Sequence, residues 1–149
     1  VNKYSVVYLY PQEVNEHQTA LRKHLAPAFD HADRELTVDD ALGLAQEGVF
    51  VFWVVLDEMR EHHASVVTEA IYFPQRGIVR VIAVGGAKIS EWLDTLIFTM
   101  EEYASAIGAD AIDACVRPGL TRLLSKRGFY TPYTIMRKSV NESLQRNLH

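Results

Sequence analysis

Arg80-Val81-Ile82-Ala83-Val84-Gly85-Gly86-Ala87-Lys88 decides how this chain folds, because the period of its apolar residues changes there. Upstream, Ile78 to Val84 is a β-branched run of the kind that forms a strand. Downstream, Ile89, Trp92, Leu93, Leu96, Ile97, Met100, Tyr103, Ala104 and Ile107 repeat at helical spacing, until Gly108 stops the helix. Ala111 to Val116 is strand-like again. A strand, a helix and a strand in this order predict a parallel pair joined by a right-handed crossover.

The segments before this point build the rest of the sheet. Val49 to Leu56 is apolar throughout, as a strand buried on both faces would be, and Ala64 to Phe73 is a second strand after the polar turn Asp57 to His63. Pro74-Gln75-Arg76-Gly77 has the residues of a tight turn, so the three strands ending in Ile78–Val84 should form an antiparallel meander. At the start of the chain, Tyr4 to Tyr10 reads as a strand. Pro11 then opens a helix that runs to about Leu25 and is ended by Pro27. Ala28 to Leu36 should loop, and Thr37 caps a short helix closed by Gly48. After the parallel joint come a helix over Pro118 to Arg127, a last strand over Phe129 to Lys138 and a polar tail from Asn141 to His149. The fold class is mixed α/β: an antiparallel meander with one parallel strand pair, flanked by helices. A single domain over 1–140 is expected.

Composition agrees with this. The chain has 149 residues, 48% of them hydrophobic and 23% charged, which suits one ordinary core and argues against disorder. The longest apolar run, Val49 to Leu56, is too short to cross a bilayer, and the start lacks a basic region leading into an apolar stretch. A cytoplasmic, non-secreted protein is expected. The single cysteine, Cys115, excludes an internal disulfide and should be a buried, inert thiol. The net charge of −4 disfavours nucleic acid as a partner, yet Arg117 to Lys138 holds six bases and no acid. That run is either a solvated face or a local anion site.

The order of elements resembles the GNAT superfamily of acyl-CoA N-acyltransferases over nearly the whole chain. Leu123-Leu124-Ser125-Lys126-Arg127-Gly128-Phe129 is similar to that family's C-terminal motif. Val116-Arg117-Pro118-Gly119-Leu120-Thr121-Arg122, with the double glycine, resembles short GNAT-like proteins of tailed bacteriophages, some relatives of which are virion components. The resemblance implies that the fourth strand bulges and splays from the fifth, that the gap takes the pantetheine arm, and that amides opening the next helix bind pyrophosphate. Val84, Gly85, Gly86, Ala87 and Lys88 would then be the cofactor-binding segment, with Arg117 as a second anion contact. Acetyl-CoA or another acyl-CoA would be the cosubstrate.

The departures from the family are equally specific. Gly85-Gly86-Ala87-Lys88-Ile89-Ser90 stands where the family has Q/R-x-x-G-x-G/A, and the two glycines could equally serve a strand exit or bulge. Leu124 takes the place of a tyrosine that commonly acts as general acid, and leucine cannot donate a proton. Tyr130 and Tyr133 are candidate substitutes, unless they are core aromatics. Glu69 shares the parity of Val67, Ile71 and Phe73, so it is a candidate base on an apolar face, or else a cross-strand partner. No metal site is expected. His17 and His24 are seven apart, a poor spacing for zinc on one helix, and the turn pair His62-His63 has no similar residues nearby in sequence.

Two functions follow from the sequence. The departures favour a non-catalytic GNAT-fold protein that binds or assembles, with an acidic-surfaced protein partner, other virion proteins or a second copy of itself. If it is phage-encoded, its place is the host cytoplasm and the virion. The intact element order supports the alternative, an N-acyltransferase in which an amine attacks the thioester directly.

Overall fold

The structure is a computed structural model that describes residues 3–141; the expected polar tail lies outside the described residues from 142 onward. The chain divides into two compact units, Val1–Val116 and Arg117–His149.

The first unit is a five-stranded sheet in sequential order, β1 (Ser5–Leu9), β2 (Phe50–Leu56), β3 (His62–Phe73), β4 (Arg76–Gly86) and β5 (Ala111–Ala114). β1 to β4 are antiparallel neighbours and β4 to β5 is the one parallel pair, as the period change at Val84 to Ile89 predicts. Helices cover both faces. On one face lie α1 (Pro11–Glu16), α2 (Gln18–Asp30) and α3 (Val38–Gln46), whose Val14, Leu21, Leu25, Phe29, Leu42 and Ala45 pack on Phe50, Phe52, Val54 and Val67. On the other lies α4 (Ile89–Ala106), whose Trp92, Leu96, Met100 and Ala104 pack on Trp53, Val55, Val66, Val79 and Val81. β2 therefore feeds alternate residues to two separate cores, which is why its sequence is apolar without a break.

Local signals place the helix ends. Thr37 accepts from the Asp40 amide at 3.1 Å while Asp40 accepts from the Thr37 amide at 2.9 Å, a reciprocal cap on α3. One expectation fails at Pro27. The first helical stretch breaks at His17, and α2 then runs through Pro27 to Asp30. Proline removes one backbone hydrogen bond, but the extra turn carries Phe29 into the core at 3% exposure, and that burial offsets the loss.

In the second unit, Pro118 opens α5 (Pro118–Ser125), and the chain turns out of it through Gly128 at φ +89. The last strand expected over Phe129 to Lys138 is not formed. Pro132 has no amide to donate, and the described part of this unit offers no second strand for a ladder. Tyr130, Tyr133, Ile135 and Met136 are exposed there.

Candidate functional site

The site begins with one extra residue in β4. The β3–β4 register runs Val67↔Ala83 and then Thr68↔Val81, so Ile82 is a bulge. Its consequence is visible in the packing: Ile82 and Ala83 both face the α1–α3 layer, while Val81 and Val84 face α4. The parallel ladder to β5 stops at the same place. It runs from Ile78↔Ala111 to Val81↔Ala114 and closes with the Cys115 amide on the Val81 carbonyl at 3.0 Å. From Ile82 to Gly86, β4 pairs with β3 only. The two parallel strands thus fork at Val81, and beyond it this edge of β4 has no ladder partner among the described residues. Cys115 stands exposed at the end of β5, not buried as its apolar surroundings in sequence suggest, although partial burial still pushes its thiol above the ordinary value.

The segment after the fork is tightly held. Gly85 and Gly86 belong to β4, opposite Ser65 and Ala64. A Cβ on Gly85 would overlap the backbone of His24, where α2 crosses the strand, and Gly86 sits at φ +136 against His63 and Ala64. Both glycines are therefore required by packing. Ala87 donates its amide to the His63 carbonyl at 3.0 Å and accepts at its own carbonyl from the Trp92 indole at 2.7 Å. Lys88 takes the left-handed conformation (φ 64) and opens α4 without a side-chain cap. Glu91 already places a negative charge in the first turn and accepts from the Tyr4 hydroxyl at 3.2 Å.

Just below the fork runs a polar row. Arg80 forms a bidentate pair with Asp113 at 2.9 and 3.0 Å, across β4 and β5. Glu69, on β3, is the register partner of Arg80 on β4 and of Phe50 on β2, so it lies half-buried on the α1–α3 side, between a charged and an apolar cross-strand neighbour. Of the other residues singled out from sequence, Arg117 is the N-cap of α5, and Tyr130 and Tyr133 are exposed in the irregular segment that follows. All three belong to the second unit.

A cluster that sequence reading missed lies at the other end of β3. Leu56 pairs with His62 and Val55 with Ala64, so His63 is a second bulge. His62 joins the α2 side, where its Nε2 is 3.0 Å from the buried Ser65 Oγ and its ring is 4.8 Å from that of His24 and 6.1 Å from that of His17. His24 Nδ1 reaches the same Ser65 Oγ at 3.1 Å. Contrary to the expectation from sequence, the His62-His63 pair has two histidines beside it. Burial, then the charges of His24 and His17, push His62 down to about 4, and burial with Lys23 and His63 lowers His24. His63 instead bonds Asp57 at 2.7 Å and meets the Tyr4 ring edge-on at 5.5 Å. His63 first, then the Glu61 and Met59 amides, hold Asp57 below its ordinary value. Asp57, Glu61 and His63 bring ligand atoms within 4.8 Å of one another, but these hydrogen bonds make the group a hairpin lock, and no metal is assigned to it. The only sequence signal for the cluster was the i, i+7 pair His17 and His24; nothing local pointed to its meeting β3.

A fork between the parallel strands, opened by a bulge in the first of them, decides the fold. The chain has the GNAT acetyltransferase fold. No family model matches the sequence, and no curated protein matches it either. Solved structures do. An aminoglycoside acetyltransferase from an uncultured soil metagenomic sample is 20% identical, with a TM-score of 0.67 over 92% of this chain and 98% of that one. An acetyltransferase from Trypanosoma brucei is 14% identical, with a TM-score of 0.62 over 92% and 99%. An aminoglycoside N-acetyltransferase in complex with CoA is 12% identical, with a TM-score of 0.63 over 92% and 95%. At these identities the likeness concerns the GNAT fold alone. Among the described residues, no helix is long and apolar enough to cross a membrane.

Proposed function

We propose that this GNAT-fold chain is an acyl-CoA-dependent N-acyltransferase, and the observation that carries the reading is the fork at Ile82 where the β4–β5 ladder ends. An unpaired strand edge offers amides and carbonyls to an amide-rich arm in the way an added strand would. Ile82 to Val84 would hold the pantetheine arm and, at the bulge, stabilise negative charge on the carbonyl oxygen. The Ala87 amide is committed to His63. An anion at the turn would therefore meet the first-turn amides of α4 and the Lys88 ammonium, not the glycine pair. Acyl-CoA supplies an activated thioester when bound. Glu69 would take the proton of the attacking amine, because it stands on β3 beside the strand that forks. Solvent would return a proton to the leaving thiolate, since the resemblance puts Leu124, which cannot donate one, where the family's usual acid would be.

The constrained turn favours a second reading. With both glycines used in packing and Glu91 in the first turn of α4, the anion site is sparse. That supports a non-catalytic binding protein, docking an acidic partner through the bases between Arg117 and Lys138. Calorimetry with acetyl-CoA separates the two. Micromolar binding, lost about tenfold or more in Lys88→Glu, supports the transferase, because the reversed charge opposes both helix dipole and ligand. Absence of binding at millimolar acetyl-CoA leaves the second reading.

A further inference from the structure

We propose that the histidines His17, His24 and His62, gathered around Ser65, form an acid-sensitive latch that seats α2 on β4. The latch does not depend on the ligand of the fork. Ser65 Oγ bridges His24 Nδ1 and His62 Nε2, and a hydroxyl can donate to only one of them while accepting from the other. The bridge is complete when both rings are neutral. When both rings carry a proton, both become donors, the hydroxyl hydrogen loses its acceptor, and two cations lie with ring centres 4.8 Å apart.

Among the described residues, no carboxylate forms an ion pair with His17, His24 or His62. From α2 come His24 and Lys23, from the α1–α2 junction His17, and from β3 His62 and His63. Of the carboxylates near the cluster, Asp57 is already paired with His63, Glu13 accepts from the Tyr10 amide, and Glu16 and Glu61 adjoin His17 and His62 in the chain; Arg22 on α2 is tied away to Asp39 of α3 at 2.7 Å. β4 contributes the uncharged Gly85, whose Cα lies directly against the His24 carbonyl. Protonation therefore acts on α2, whose backbone rests on β4 just past the fork. The cluster lies on the α1–α3 side, while both tryptophans lie in the core of the α4 side, so the two layers can be followed separately.

The test is hydrogen exchange of the intact protein between about pH 7 and pH 5, corrected for the intrinsic pH dependence of exchange, with tryptophan emission followed in parallel. The latch predicts that protection over residues 18–30 falls at least about tenfold while the emission of Trp53 and Trp92 is unchanged, and that His62→Asn reduces the loss to less than about threefold. Constant protection in the unsubstituted protein overturns the proposal. So does an equal loss in His62→Asn, or a change of emission in step with exchange, which would mean that acid melts the whole unit. If His62→Asn is unfolded at neutral pH, His17→Gln takes its place. Removing one cationic neighbour must reduce the loss of protection at pH 5, and an unchanged loss overturns the latch.

Discussion

Gly85→Ala tests whether the glycine pair serves packing or ligand. The added Cβ would lie 2.6 Å from the His24 carbonyl carbon and 3.4 Å from the Leu25 nitrogen, and closer still to the His24 oxygen. Carbon atoms at rest keep about 3.5 Å or more, so α2 must retreat from β4 by roughly 1 Å or the strand must bend. Both parts are backbone, and no side chain can swing away. Overpacking of this kind costs about 1–3 kcal/mol, and the upper end applies where nothing flexible can yield. For a chain of this size about 3 kcal/mol lowers the melting temperature by roughly 6–12 °C. Gly43→Ala is the matched control. It sits inside α3 with nothing within 4 Å of its Cβ position, so alanine should stabilise by about 0.5–1 kcal/mol. Urea denaturation of both variants, with the slope unchanged, measures the difference. A Gly85→Ala protein within about 0.5 kcal/mol of the parent would refute the packing argument. If such a protein also lost acetyl-CoA binding, the glycine would be a ligand residue after all.

Stability should fall on acidification from pH about 6.5 toward pH about 4, because His62 binds a proton readily in the unfolded chain and only near pH 4 in the fold. Unfolding is then favoured by on the order of 2 kcal/mol after allowance for the half-exposed ring, and the pH dependence of the urea midpoint should flatten in His62→Asn. Trp92→Phe removes the bond to the Ala87 carbonyl while keeping most of the apolar volume, so it should cost about 1–2 kcal/mol and loosen Ala87, read as faster amide exchange there. Met100→Ala, at 1% exposure on the sheet-facing side of α4, should cost about 2–5 kcal/mol in the same denaturation assay. Asp113→Asn leaves the half-buried Arg80 facing a neutral amide. It should destabilise by about 1–2 kcal/mol at pH 7, read from the urea midpoint.

The sequence by itself determined the order of elements from β2 to α5, the antiparallel meander, the parallel joint after Val84 and the double burial of β2. Each depends on the period and chemistry of neighbouring residues, and those are local properties. Even the cap at Thr37 and the stop at Gly128 could be read this way. Only the tertiary structure decided the rest. The bulges at Ile82 and His63 are single-residue slips between paired strands, and neither composition nor period reveals which residue is the extra one. The same holds for the continuation of α2 through Pro27, where burial of Phe29 overrides a local helix breaker. It holds for the unformed strand over Phe129 to Lys138, since the described part of its unit contains no second strand for a ladder. The histidine cluster is the clearest case. His24 and Ser65 are 41 residues apart and meet only because α2 crosses the sheet at Gly85, where the chain has no Cβ to keep the helix away.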